Sequence, residues 1–185
     1  ARGVIHRDLK PDNILLQVGQ PDNDVLIYWP IYDEWHKSTG MAEHLSIHGA
    51  DWFGAQPIGK LAEKLWARGF TFDYISDRQL AALKPAGRVM VVPATEHIPL
   101  KTMENLLRLA EGGATVIFDG VLPKDVPGPH DLKTRQTDLK KLLEQARSRV
   151  QVGDAEALLT KAGVAREPMV DQAGLLFIRR KLEDG

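Results

Sequence analysis

A stretch of aromatic and polar residues follows the first buried apolar run and carries the side chains best suited to binding a small ligand. Tyr32, Asp33 and Trp35 lie in it, close to Trp29. Aromatic rings offer a flat apolar face, and the hydroxyl, indole N–H and carboxylate groups beside those faces can pair with the hydroxyls of a sugar. We therefore predict Tyr32, Asp33 and Trp35 as substrate-binding residues for a carbohydrate.

Three histidines in or near the same stretch raise the question of a metal site. They are His36, His44 and His48. Only His44 and His48 have the four-residue separation that places two ligands on one face of a helix, and no Glu stands between them as in the H-E-x-x-H pattern. We predict no metal site here.

Composition excludes several other kinds of chemistry. The 185 residues include no cysteine, which removes disulfides, thiolate nucleophiles and Cys-based zinc sites but leaves the compartment open, a periplasmic or secreted location included. The 24 Lys and Arg balance 25 Asp and Glu, so no net field attracts nucleic acid or an anionic membrane. No apolar run has the ~18 residues of a membrane span, and no strand precedes G-x-G-x-x-G. We predict a soluble chain with no cofactor.

The N-terminal residues carry a second set of chemically active side chains. Residues 4–16 have the sequence VIHRDLKPDNILL and resemble the catalytic loop of Ser/Thr protein kinases. This resemblance implies that Asp8 is the base for the substrate hydroxyl, that Lys10 steadies the γ-phosphate, and that Asn13 holds a magnesium ion.

The groups that such a loop needs around it are missing from the sequence. Phosphoryl transfer is catalysed mainly by positioning and charge neutralisation, so one loop achieves little without the groups that hold ATP. Three residues precede the motif, and residues 25–33 (VLIYWPIYD) stand where Asp-Phe-Gly belongs. The nearest imitation, residues 51–54, has an inserted Trp. We expect a kinase fragment of this kind to be inactive, and we do not assign residues 4–16 to a domain.

The elements around these residues alternate between strands and helices. Short β-rich apolar runs predict buried strands, and amphipathic segments that begin at a cap or Pro and end at Gly predict helices. The predicted strands are 24–29, 70–75, 88–92 and 114–118, and the predicted helices are 57–69, 76–83, 100–111, 131–150 and 154–163. This order favours a doubly wound α/β fold with a mainly parallel sheet of flavodoxin or Rossmann type.

Ligands of doubly wound sheets approach the carboxyl ends of the strands. The predicted ends are Trp29–Pro30, Ser76–Asp77, Pro93–Ala94 and Asp119–Gly120. Since the aromatic stretch leaves the first of these ends, we expect its side chains to lie where this fold binds ligands. A free-standing ligand-binding module of flavodoxin type is therefore one interpretation of the chain.

Five further stretches, which follow one another along residues 17–185, resemble a single family. They are residues 17–33, 69–80, 91–96, 112–117 and 162–185. Their sequences resemble those of bacterial α-L-rhamnosidases of glycoside hydrolase family 106. The resemblance covers far more of the chain than the kinase-like loop does.

The rhamnosidase resemblance implies that the chemistry lies outside this chain. Such enzymes carry their acid/base carboxylates on a (β/α) barrel, and a flavodoxin-like domain follows it. We therefore expect a non-catalytic structural domain whose partners are the remaining domains of the parent enzyme and a rhamnose-containing carbohydrate. The rings of Tyr32 and Trp35 then either contact the sugar or pack against the barrel.

Carboxylates within the chain give an alternative, because glycoside hydrolysis needs two of them on either side of the scissile bond. The candidate pairs are Asp33 with Glu34, Asp73 with Asp77, and Glu96 with Asp119. Acidic residues at such positions commonly cap helices or solvate loop ends, and we favour that interpretation.

The C-terminal residues predict the start of another module. Residues 174–181 (GLLFIRRK) have the composition of a strand, and residues 183–185 (EDG) contain an Asp-Gly turn. We expect a flavodoxin-like domain over residues 17–165 and the beginning of a β module over 166–185. On this interpretation the chain is an internal piece of a longer protein.

Overall fold

A computed structural model of the chain describes residues 20–36, 50–85 and 87–182. These residues belong to two compact units, one formed by residues 23–177 and the other by the terminal residues 20–22 and 178–182. In the small terminal unit, strand β1 (Gln20–Pro21) pairs antiparallel with strand β7 (Arg180–Lys181).

The strand predicted over residues 174–181 was wrong in its extent. Only Arg180–Lys181 is a strand, because a strand needs a ladder of paired residues and, in the described part of the chain, these two alone among residues 174–181 have ladder partners. Arg179 Nε adds a hydrogen bond of 2.9 Å to the carboxylate of Asp22. The Asp-Gly turn lies outside the described residues.

Five parallel strands form the sheet of the larger unit. They are β2 (Val25–Tyr28), β3 (Phe72–Ile75), β4 (Val89–Val92), β5 (Thr115–Asp119) and β6 (Gln151–Gly153). Their spatial order is β3-β2-β4-β5-β6, which becomes 2-1-3-4-5 when the five strands alone are counted. This is the flavodoxin-like order of a doubly wound sheet, so the predicted fold class is confirmed.

Helices follow the strands and cover both faces of the sheet. They are α1 (Ile31–His36), α2 (Ala50–Ala55), α3 (Pro57–Ala67), α4 (Asp77–Ala82), α5 (Leu100–Glu111), α6 (Leu132–Ala146) and α7 (Ala155–Lys161), with a 3-10 turn at Pro168–Asp171. Helix α5 has the predicted bounds. Helix α6 ends four residues before the predicted residue 150, and the short strand β6 follows it without having been predicted.

Consecutive strand residues face opposite layers, and this explains the continuous apolar runs. Ile27 packs in a core cluster with residues of α3 and α7, whereas its neighbour Tyr28 packs in a second cluster with residues of α4, α5 and α6. Both side chains are fully buried. Burial of an aliphatic or aromatic side chain stabilises a fold by about 1.5–3 kcal/mol, so two such clusters hold the helices against the sheet.

Local capping sets where several helices begin. Ser76 precedes α4 in a capping box, because its Oγ accepts from Gln79 N while Gln79 Oε1 accepts from Ser76 N at 3.0 Å. Asp154 caps α7 by accepting from Ala157 N at 2.9 Å. These contacts confirm the predicted starts of two helices, which follow the carboxyl ends of β3 and β6.

Candidate functional site

The strand order of the sheet reverses at β2, and the loops at the carboxyl ends of β2 and β4 meet there. Strand β3, the next along the chain, lies on one side of β2, and β4 lies on the other. Doubly wound sheets bind ligands at such a reversal. After β2 the chain passes through Trp29 and Pro30 into α1, which carries Tyr32, Asp33 and Trp35.

Asp33 connects α1 to the loop that follows β4. Its Oδ2 accepts from Glu96 N at 3.0 Å, and its Oδ1 accepts from His97 N at 2.8 Å. Oδ1 also lies 2.8 Å from His97 Nδ1. Because an ionised carboxylate only accepts hydrogen bonds, Nδ1 must carry the imidazole proton in this arrangement.

The hydrogen bonds to Asp33 keep it ionised. Burial on its own would raise the pKa of Asp33, but the bonds from Glu96 N, the His97 ring and His97 N outweigh it, and the pKa lies below its ordinary value. The side chains of Asp33 and His97 are only 16% and 11% exposed. Asp33 is therefore a fixed anion at neutral pH, with both oxygens engaged by one loop.

Helix α1 presents two different faces, although it has only six residues. Asp33 and His36 are three positions apart and both contact His97, on which the His36 ring stacks at a centroid distance of 3.9 Å and an angle of 25°. Tyr32 and Trp35, also three apart, meet edge to face at 5.4 Å. The first pair anchors the helix, and the second pair remains on its open side.

A cleft of about 330 Å³ separates the open side of α1 from the loop that follows β5. Its described lining consists of Tyr32, Trp35, His36, Pro127 and Gly128. The Trp35 side chain is 52% exposed. Two of the three predicted binding residues therefore line a cleft, whereas the contacts of Asp33 are directed to residues 96–97.

The loops after β4 and β5 are joined by backbone hydrogen bonds. Ile98 N donates to Asp125 O at 3.0 Å, Asp125 N donates to Glu96 O at 3.0 Å, and His97 and Asp125 form an isolated parallel bridge. The carboxylate of Asp125 accepts from Gln136 Nε2 on α6 at 2.9 Å and from Val126 N at 2.7 Å. A continuous set of contacts therefore runs from α1 to α6 beneath the cleft.

No family model and no curated protein matches this chain.

Hydrogen bonds keep Asp125 ionised, as they do Asp33. Burial acts to raise the pKa of Asp125, while the hydrogen bonds from Gln136 and Val126 N and the positive charge of nearby histidines lower it, with a net downward shift. Neither Asp33 nor Asp125 has the raised pKa that a general acid needs.

Two of the other nominated carboxylates have structural partners. Asp77 accepts a hydrogen bond of 2.9 Å from the hydroxyl of Tyr28 and another from Thr102 Oγ1. Asp119 accepts from Ala155 N at 3.0 Å, at the start of α7. These contacts agree with the favoured interpretation, in which acidic residues cap helices and satisfy loop ends.

The remaining nominated acids lie in unlike surroundings. Glu34 is buried in α1, with 4% of its surface exposed, whereas Asp73 and Glu96 are exposed. Glu96 belongs to a second, smaller cleft of about 220 Å³ between the loops after β4 and β5, where Lys124 also lies.

Several predicted features lie outside the described residues. These are the kinase-like side chains Asp8, Lys10 and Asn13, and two of the histidines, His44 and His48. Within residues 20–36, 50–85 and 87–182, no three His, Asp or Glu side chains are grouped as metal ligands would be. Across the same residues, no helix is both long and apolar enough to cross a membrane.

Sequence reasoning missed the partners that hold the site together. His97 and Asp125 belong to loops after two neighbouring strands, and Arg135 and Gln136 follow in α6. The sequence pointed to these partners only through their positions after predicted strands, because the ends of adjacent parallel strands meet at one edge of the sheet. His97 follows the predicted strand 88–92, so it was within reach of the segment that follows the first strand and carries Asp33.

Proposed function

We propose that this chain is a non-catalytic structural domain of an α-L-rhamnosidase-like glycoside hydrolase, which supports the catalytic barrel and lends aromatic contacts to the sugar. The observation that carries the sugar contact is the cleft at the strand reversal, where Tyr32 and Trp35 line one wall. An exposed indole next to a phenol hydroxyl suits a sugar ring, which has apolar C–H faces and polar edges. The assignment to a rhamnosidase rests on the sequence resemblance.

The states of the acidic side chains support a non-catalytic role. A glycosidase needs one carboxyl group with a raised pKa to protonate the leaving oxygen. Four described carboxyl groups have a displaced pKa, and each is displaced downward: Asp33, Asp125, Asp154 and Asp171. Asp33 in addition directs both oxygens at backbone N–H groups. These acids act as hydrogen-bond acceptors for backbone N–H groups and for neighbouring side chains.

The test of the non-catalytic role uses the 185-residue chain and an aryl α-L-rhamnoside. We expect no release of the aryl alcohol above the rate in buffer. Hydrolysis that disappears in Asp33→Asn would contradict the proposal, because it would make this carboxylate part of a catalytic pair.

The sugar contact is tested by titrating the chain with L-rhamnose and following tryptophan fluorescence. We expect saturable quenching that is lost in Trp35→Phe and retained in Trp66→Phe, because both indoles are partly exposed but only Trp35 lines the cleft. If the wild type gives no saturable change, the sugar contact is wrong, and burial of the ring against the barrel becomes the better account.

The domain architecture is tested by the parent reading frame. A (β/α) barrel encoded before this segment supports the proposal. A kinase N-lobe in that position would overturn it and would favour the alternative based on Asp8, Lys10 and Asn13.

A further inference from the structure

The second wall of the cleft is a loop with little regular structure of its own. Between β5 and α6, the described residues 120–131 form neither helix nor strand apart from the isolated bridge at Asp125. Loops of this kind are usually mobile unless other elements hold them. Pro127 and Gly128 nevertheless line the cleft opposite the aromatic residues of α1. Contacts with other elements must therefore hold them in this position.

Arg135, in the first turn of α6, makes these contacts. Its Nε donates to His130 O at 2.6 Å, its Nη1 donates to Pro127 O at 2.7 Å, and its Nη2 donates to Gly128 O. A planar guanidinium is suited to this task because its donors leave in fixed directions. One side chain thus satisfies three carbonyls of the wall.

Gln136, the next residue of α6, holds the other end of the same loop. Its Nε2 donates to both carboxylate oxygens of Asp125, at 2.9 and 3.1 Å. Because Asp125 is bridged to His97 and His97 is bonded to Asp33, the two walls share one set of contacts. The cleft is therefore formed before any ligand enters.

We propose that Arg135 is a positioning residue that holds the Pro127–Gly128 wall opposite Trp35, and that the cleft between them binds one uncharged pyranose ring. This inference rests on the proposed function and specifies the site, the class of ligand and the residue that shapes it.

The charges around the cleft favour a neutral ligand. Its described lining contains no Lys, Arg, Asp or Glu side chain. The nearby cation, Arg135, is directed at three carbonyls, and the nearby anion, Asp33, is directed at residues 96–97. A phosphate or carboxylate would therefore lose its hydration without gaining a Lys or Arg partner, which is unfavourable, because the polar side-chain groups of the described lining are those of Tyr32, Trp35 and His36.

The size of the cleft favours a single ring. Pockets for small ligands have volumes of about 300–1,000 Å³. The cleft, at about 330 Å³, lies at the lower end of that range. One exposed indole at its edge provides a face for one sugar ring rather than for a row of them.

The experiment compares wild type with Arg135→Ala, Arg135→Lys and the matched control Arg147→Ala. Arg147 lies just after α6, is 70% exposed and pairs only with Glu144 among the ion pairs seen here. Two quantities are measured for each: the amide hydrogen exchange of Gly128 and His130 without sugar, and the Kd for L-rhamnose.

We expect Arg135→Ala to speed exchange at Gly128 and His130 and to raise the Kd, each by about tenfold or more, since three charge-assisted hydrogen bonds are lost. Arg135→Lys should fall between, because one ammonium cannot reach all three carbonyls. Arg147→Ala should match wild type in both measurements. Arg135→Lys retains the charge and answers the question if Arg135→Ala does not fold.

The outcomes separate the two proposals. Unchanged exchange in both Arg135 variants overturns the positioning role, whether or not sugar binds. Faster exchange with an unchanged Kd overturns the link between the wall and binding. Faster exchange with no binding of sugar by wild type overturns the pyranose site and the proposed sugar contact together, and leaves Arg135 as a loop anchor. Tighter binding of D-glucuronate or FMN than of L-rhamnose overturns the assignment of a neutral ring.

Discussion

Oδ1 of Asp33 and Nδ1 of His97 lie 2.8 Å apart although 64 residues separate them in the chain. Together with the two backbone bonds from residues 96 and 97, this contact joins the helix after β2 to the loop after β4. The aromatic side chains of α1 are oriented by that connection, so its removal affects both stability and the cleft.

Replacement of Asp33 by Asn should destabilise the fold by about 2 kcal/mol, because the amide loses the charge that strengthens bonds from Glu96 N and His97 N. Urea unfolding at pH 7 followed by circular dichroism measures this loss. Asp138→Asn is a suitable control, since Asp138 makes one exposed i,i+3 pair on α6. Equal stabilities of the two variants would contradict the anchoring role.

The same substitution should alter the dependence of stability on pH. The pKa of Asp33 is lower in the folded chain than its ordinary value of 3.8, so the unfolded chain binds the proton more readily. The contribution of Asp33 is therefore complete above about pH 5 and is lost as the pH falls through the folded pKa. We expect the gap between wild type and Asp33→Asn to narrow between about pH 5 and pH 2. A gap that widens toward acid would show the opposite sign.

Trp35→Ala should lower the free energy of unfolding by only about 1 kcal/mol, because half of the residue is already exposed and, among the described residues, its ring makes one edge-to-face contact, with Tyr32. Trp66→Ala should cost more, since the Trp66 ring stacks on the buried Phe177 at 6.5 Å. Thermal unfolding of both variants gives the comparison. A large loss in Trp35→Ala would mean that the ring is structural rather than available to a ligand.

Tyr28→Phe should destabilise the chain by about 1 kcal/mol at pH 7, because the partly buried carboxylate of Asp77 loses a donor. Burial first, and the charge of Asp77 second, raise the pKa of Tyr28 above its ordinary 10.0. The folded state therefore keeps the phenol proton after the unfolded state releases it, and this contribution is lost as the pH rises above 10. The gap between wild type and Tyr28→Phe should narrow above pH 10. An unchanged gap at pH 11 would argue against the buried phenol.

Gly69→Ala should be more damaging than Gly163→Ala, although both glycines have positive φ, of 87° and 76°. A Cβ at Gly163 meets no atom within 4 Å, so that variant has only the backbone strain of about 1–2 kcal/mol. A Cβ at Gly69 would lie 2.5 Å from the backbone oxygen of Glu167. Chemical denaturation should therefore give a larger loss for Gly69→Ala, and equal losses would show that the Glu167 segment yields without cost.

The sequence by itself determined the fold class of the larger unit. Apolar runs such as Val25–Tyr28 and Val89–Val92 are buried on both faces, and the amphipathic pattern of Leu100–Glu111 has one apolar side, so each pattern is specific to its element. Caps at Ser76 and Asp154 are likewise local, because the side chain and the amide it binds are three residues apart. These features needed no knowledge of the rest of the chain.

The sequence patterns did not predict two short elements, helix α1 and strand β6. Helix α1 has six residues and β6 has three, which is too few for a period of 3.6 or 2 to be recognised. The aromatic stretch was correctly placed after the end of the first strand, but its helical form was not predicted. That form is what divides Tyr32 and Trp35 from Asp33 and His36.

Only the tertiary structure decided which loops meet. The strand order brings the ends of β2 and β4 together, and residues as distant as Asp33 and His97 then become partners. Arg135 acquires its role in the same way, because its three acceptors lie in a loop with no pattern of its own. Local composition determines strands and helices through burial and periodicity, whereas a site built from loops depends on contacts between residues far apart in sequence, which no local pattern encodes.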